Sequence, residues 1–160
     1  MSDPVEVVRR FLTENEIPYD RFGDHGFVAE LAGVHKLKTN VALIVGTHSL
    51  TVNAFVARHP DENVEAVHRW LLERNRHLFA VAFSIDQYGD IYLSGVLGLE
   101  SVHDLDRVLG AVLEYADSAF NIILELGFAS AIKREYVWRT SRGESVDNLA
   151  MFAHLIETLP

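Results

Sequence analysis

Cysteine is absent from the 160-residue chain. This excludes a disulfide framework, a thiolate zinc site and a cysteine nucleophile, and it fits a chain that folds without covalent staples. Long apolar runs are also absent, and stretches such as Val41 to Val45 are far too short to cross a bilayer. The opening Met1-Ser2-Asp3-Pro4 has neither a basic leader nor the apolar core of a signal peptide. A cytoplasmic location without membrane contact is the expectation. Net positive charge is missing too. At −9, the formal charge repels DNA, RNA and anionic lipid at long range. The one basic cluster, Lys133, Arg134, Arg139 and Arg142 with Glu135 inside it, reads as a solvated helix face that pairs with nearby acids. No nucleic-acid partner is expected.

What is present is an ordinary globular balance, 49% hydrophobic and 23% charged, enough to close one core. The length suits a single domain over residues 1–160. Asp3, Pro4 and Glu6 form a helix start, followed by Val5, Val8, Phe11 and Leu12 on one face, and the helix stops near Ile17-Pro18. From Phe27 to Arg58 the period becomes that of strands: 27–31, 41–45 and 50–56, the last two close enough for a hairpin. The middle run is apolar on both faces, which predicts a central or doubly covered strand. A helix follows from Val64 to about His77, its face lined by Val64, Val67, Leu71 and Leu78.

Phe79, Val81, Phe83 and Ile85 alternate as a strand, Asp86-Gln87-Tyr88-Gly89-Asp90 turns, and Ile91, Leu93, Leu97 and Leu99 return. Ser101 is the expected cap of a long helix whose stripe is Leu105, Val108, Val112, Ala116, Ala119 and Ile123, with Gly127 as its stop. Segment 128–143 reads as helical, and Leu149, Phe152, Ile156 and Leu159 suggest a closing helix. The expected fold class is α+β: a five-stranded antiparallel sheet with helices packed on it, in the order α-β-β-β-α-β-β-α, with 128–160 as a C-terminal helical extension.

Catalytic and metal motifs are sparse. Among eight histidines (His25, His35, His48, His59, His68, His77, His103 and His154) no two share the i, i+4 spacing of a helical metal site, and no His-Glu-x-x-His occurs. Only a site assembled from distant parts remains open. The 86–90 segment lacks the third acid and distal Glu of a calcium loop and reads as a hairpin turn, with Gly89 supplying positive φ. There is no Gly-x-Ser-x-Gly elbow, and Gly95-Val96-Leu97-Gly98 lacks the Lys of a phosphate cradle; its glycines suggest a bulge or a close helix approach. The paired acids Asp61-Glu62, Asp104 with Asp106, and Glu14 with Glu16 fit helix ends and exposed turns. No catalytic residue, metal ligand or cofactor is assigned.

Three features together resemble a known family: Leu71-Leu72-Glu73-Arg74-Asn75-Arg76 before an aromatic strand, the 86–90 turn before Ile91-Tyr92-Leu93, and Ser101, Leu105, Leu109 and Asp117 on a long helix. The resemblance is to the YbjN family, whose domain looks like the class I chaperones of type III secretion. It covers most of 1–127. It implies a small acidic domain that pairs with itself and engages other proteins, with no enzymatic activity. The 128–160 segment departs from the minimal pattern.

The informative surplus is apolar. Phe55, Tyr92, Val96, Tyr136 and Trp138 lie off the core stripes. Either they form a contact surface on an open sheet face, or the C-terminal segment folds back over them. The leading expectation is a non-enzymatic, chaperone-like or regulatory adaptor, homodimeric, that binds a protein client by the sheet face or by strand addition at an edge. Phe55, Tyr92 and Trp138 are its candidate contact residues. The alternative is a regulatory domain holding a small apolar molecule between the long helix and the sheet.

Overall fold

In the computed structural model, which describes residues 2–156, helix α1 (Pro4–Glu14) opens where the sequence places it. Asp3 accepts the Val5 N–H at 3.1 Å, and Val8 and Leu12 are fully buried. Glu6 does not complete a capping box; its carboxylate instead takes two hydrogen bonds from Arg9.

Six strands follow, not five: β1 (Tyr19–Phe22), β2 (Gly26–Ala32), β3 (Lys38–Val45), β4 (Ser49–Ala57), β5 (Ala82–Ile85) and β6 (Ile91–Gly98). The sheet runs β1-β2-β3-β4-β6-β5, and every neighbouring pair is antiparallel. The strand missed in the sequence is β1. Its Tyr-Asp-Arg-Phe has no apolar alternation, because an edge strand with three exposed residues buries little. It lies between Pro18, which reads as a breaker, and the turn-rich 23–25.

One face of the sheet holds the core. Phe27, Ala29 and Leu31 on β2, Val41, Leu43 and Val45 on β3, Leu50, Val52 and Ala54 on β4, and Ile91 and Leu93 on β6 are all buried. The long helix α3 (Leu105–Gly127) shares that core through Leu105, Val108, Val112, Ala116, Ala119 and Ile123, the stripe read from the sequence. Helix α2 (Val64–Asn75) adds Val67 and Leu71. Strand β3 is third of six, yet only one of its apolar faces is covered: Ile44, opposite Thr51, stays exposed.

Local departures have local causes. A turn from Phe79 O to Val81 N–H (2.7 Å) and a left-handed Ala80 (φ 67°) delay β5 to Ala82. Ser101 caps nothing, because a 3-10 helix over Leu99–Asp104 intervenes before α3. Gly95 admits neighbouring backbone, not a helix: a Cβ there would lie 2.4 Å from the Ala80 carbonyl oxygen. The bulge is in β4, between Phe55 and Ala57. The 86–90 hairpin turn has Gly89 at φ 81°, and Asp86 accepts the N–H groups of Tyr88 and Asp90. After α3 come α4 (Ala129–Ser141), a 3-10 helix (Asp147–Phe152) and α5 (Ala153–Ile156). Ile132, Leu149 and Phe152 bury a smaller cluster against Leu124 of α3. Leu159 lies outside the described residues.

Candidate functional site

The two edges of the sheet differ at the level of single backbone groups. At β5, the Phe83 N–H donates to Asn75 Oδ1 at 2.7 Å, and the Phe83 carbonyl accepts from Asn75 Nδ2 at 3.1 Å. Phe83 faces Leu93 of β6 without exchanging these bonds, so both groups point outward from the sheet. A side-chain amide from the last residue of α2 thus occupies the middle of this edge as a neighbouring strand would. Toward the start of the strand the next outward donor, Val81 N–H, is turned back onto Phe79, whereas at its end the outward Ile85 N–H takes part in no hydrogen bond among the described residues.

At β1 the Glu30 N–H donates to the Pro18 carbonyl at 2.9 Å. Alternation from that bond turns Tyr19 and Arg21 outward. Neither backbone N–H takes part in any hydrogen bond among the described residues. Besides its ladder with β2, the strand is held by side chains on the core side: the Tyr19 ring is 5.7 Å from Phe27, and Arg21 Cζ is 4.4 Å from the centroid of the same ring.

Beside this open edge is a cleft of about 350 Å³ between the end of α1, the end of β2 and the start of α3. Its apolar wall is Phe11, Ile17, Leu31, Leu109 and Leu113; Glu16, Glu30 and Asp106 are its charged residues, and no basic residue lines it. An extended segment pairing with β1 would pass next to a pocket for apolar side chains bordered by carboxylates.

Of the three contact residues expected from the sequence, two meet. Phe55 and Tyr92 are register partners on β4 and β6, with ring centroids 5.6 Å apart in an edge-to-face pair. Partial burial pushes the Tyr92 phenol up, with the Asp86 and Asp90 carboxylates adding to it. Trp138 stands apart on α4, half exposed, with Arg142 Cζ 4.8 Å over its ring. The extension does not cover the sheet's outer face, where Val96 remains 74% exposed.

Sequence reading missed the Asn75 plug, which only the phrase Asn75-Arg76-His77 at a helix end could have hinted at. It also missed Asp117 as a clamp: its Oδ1 accepts the N–H groups of Val34, His35 and Lys36 at 2.8, 2.8 and 3.0 Å, and these bonds hold its carboxyl below the usual range against the opposing effect of burial. The histidines disperse. Among the described residues no three His, Asp or Glu side chains gather as a metal site. His154 is committed to Glu125 at 2.6 Å, and His59 Nδ1 contacts the Pro60 carbonyl oxygen at 2.7 Å.

A family model described as "YbjN: Putative bacterial sensory transduction regulator" matches residues 4–125, which span α1 through nearly all of α3. The chain belongs to the YbjN family. Relatives of the YbjN chain match it over most of its length. A protein of Mycobacterium leprae is 51% identical over 158 residues, covering 94% of this chain and 86% of its own. One of Mycobacterium tuberculosis is 50% identical over 159 residues, with coverage of 95% and 87%. The YbjN fold is shared with a chain of the ExsC–ExsE complex (TM-score 0.56, 21% identity, 77% of this chain and 97% of that one). It is also shared with a chain of the HopA1–SchA chaperone–effector complex (TM-score 0.50, 16% identity, 69% and 88%). No helix among the described residues of the YbjN chain is long and apolar enough to cross a membrane.

Proposed function

We propose that this YbjN chain is a non-enzymatic, chaperone-like protein-binding module that takes an extended partner segment onto the outer edge of β1. The carrying observation is the contrast between a β5 edge plugged at its centre and a β1 edge whose Tyr19 and Arg21 N–H groups have no hydrogen-bond partner among the described residues. Strand addition supplies main-chain hydrogen bonds, and the adjoining cleft supplies selectivity. Its apolar wall and its acids Glu16 and Asp106 favour a segment that alternates apolar with basic residues, Glu30 being paired with Lys38 at 3.4 Å. The family and the chaperone–effector fold neighbour support a protein partner. Residues 128–160 belong to the same domain in this reading. Phe55 and Tyr92 form a second contact on the sheet face, and Trp138 a separate one on α4.

Self-association is part of the proposal. Leu72 is 67% exposed on α2, Ile85 is exposed at the end of β5, and His68 Nε2 is buried without a partner among the described residues. These three line one small cleft. A second copy packed there by a two-fold axis would cover both apolar groups through side chains, the centre of the β5 backbone edge being occupied by Asn75.

The test uses peptides selected from a random library against the full chain, followed by hydrogen exchange with the tightest binder. Protection of the Tyr19 and Arg21 amides is expected. Arg21→Pro removes an outward donor but no β1–β2 ladder bond, and it should weaken that binder by about tenfold or more relative to Arg21→Ala, which loses the same side-chain contacts and keeps the donor. Protection confined to other elements would overturn the β1 reading.

A further inference from the structure

Lys36 is a cation held in place without a counter-charge among the described residues. The tip of the β2–β3 hairpin is clamped to α3, since the Lys36 N–H is one of the three that Asp117 accepts. The clamp is tight: a Cβ at Gly33 would lie 2.6 Å from the same carboxylate oxygen. From this fixed backbone the ammonium lies 5.9 Å from the Phe55 ring centroid and 5.5 Å from that of Phe120. It donates one hydrogen bond, to the Lys38 carbonyl at 2.9 Å. An ammonium has three donors, so two are left to spend. None of the ion pairs among the described residues includes Lys36. Partial burial pushes its pKa down, as expected for a charge short of solvent and of a partner.

The side chain lines a cleft of about 580 Å³ formed where the C-terminal extension packs against α3 and the end of β4. The apolar wall includes Phe120, Leu124, Ile132 and Leu149. Two other charged residues line it, and both are spent. Arg58 bonds Asp61 at 2.7 Å, and Glu135 bonds Arg139 at 2.5 Å. The local charge left uncompensated is therefore a single positive one beside an apolar surface. The volume falls within the range of small-molecule sites.

We propose that this cleft binds an amphipathic monocarboxylate, with its carboxylate on the Lys36 ammonium and its apolar tail against Leu124, Ile132 and Leu149. One unpaired cation matches one carboxylate, whereas a doubly charged phosphate monoester would keep one charge uncompensated beside the apolar wall. The cleft shares no lining residue with the groove beside β1, so the proposal stands apart from the β1 reading; with the second proposed protein contact it shares Phe55.

The experiment is a methyl-NMR titration of the full chain with sodium decanoate, with decanol and decylamine as controls. Saturable shifts of the Leu124, Ile132 and Leu149 methyl groups are expected with decanoate. Lys36→Met should weaken decanoate by about tenfold or more and leave decanol unchanged, because it removes a charge-assisted contact and keeps the stem. Ile132→Trp fills the cleft without touching Lys36 and should abolish the shifts at Leu124 and Leu149. The proposal is overturned if decanoate and decanol bind alike, if Lys36→Met leaves decanoate affinity intact, or if an acidic leucine-rich peptide shifts these methyls while decanoate does not.

Discussion

At β5 a single asparagine satisfies both outward groups of Phe83, while at β1 the corresponding groups of Tyr19 and Arg21 face solvent. Both are short edge strands of four residues. An unpaired edge is a template for another chain, and proteins commonly blunt it. Here one edge is blunted by a side chain and the other is left open next to an apolar cleft. Edge protection in this fold is thus selective, and under the proposed function the open edge is the one that takes a partner strand. The plug is also a tertiary device: it requires α2 to end at the level of β5, and no property of the strand itself provides it.

The comparison breaks most severely if β1 loses its anchor. Phe27→Ala removes a fully buried ring and with it the contacts to Tyr19 and Arg21. A loss of about 3–5 kcal/mol is expected in urea unfolding. Native-state hydrogen exchange should show β1 and the Pro18–Glu30 bond opening first. Uniform loosening of the whole sheet would mean that β1 does not depend on this ring.

Unplugging β5 should have a smaller effect on stability and a new effect on association. Asn75→Ala leaves the Phe83 N–H and carbonyl exposed at the edge and should cost about 1 kcal/mol. Light scattering should then show concentration-dependent association beyond any seen in the parent protein, because both edges are now open. An unchanged mass with unchanged stability would show that the plug protects nothing.

Acid gives the smallest and most selective effect, since neither edge relies on a titrating group. Asp117 and Glu62 both have lowered pKa values; those of Glu62 come from the Ser130 N–H and hydroxyl at 2.7 and 2.9 Å. A carboxyl lowered in the folded state contributes stability that is complete above its unfolded value and is lost as pH falls through the folded one. The 33–37 hairpin tip and the start of α4 should therefore loosen together below about pH 4, while exchange at Phe83 stays constant. Asp117→Asn should loosen the hairpin tip already at neutral pH. Equal loosening at β5 under acid would remove the distinction.

The sequence was most informative where periodicity carried the signal. The α3 stripe from Leu105 to Ile123 repeats every three or four residues over several turns, so one helical face is fixed by composition alone. The strands 27–31 and 50–56 alternate cleanly for the same reason, since each buries one face. Periodicity failed where burial is slight or the period is interrupted. β1 exposes most of its side chains, and the left-handed Ala80 interrupts what reads as one strand from Phe79 to Ile85.

By itself, then, the sequence determined the class of fold, the core face of each long element and the absence of cysteine chemistry, because those follow from composition and local period. Tertiary structure alone decided the rest: that Asn75 meets Phe83 eight residues away, that Asp117 clamps a hairpin more than eighty residues earlier, that Phe55 pairs with Tyr92 while Trp138 stands apart, and that Lys36 packs between Phe55 and Phe120 with no ion pair among the described residues. These are contacts between side chains and backbone groups of different elements. Their geometry is set by how helices and strands pack, and no spacing along the chain encodes it.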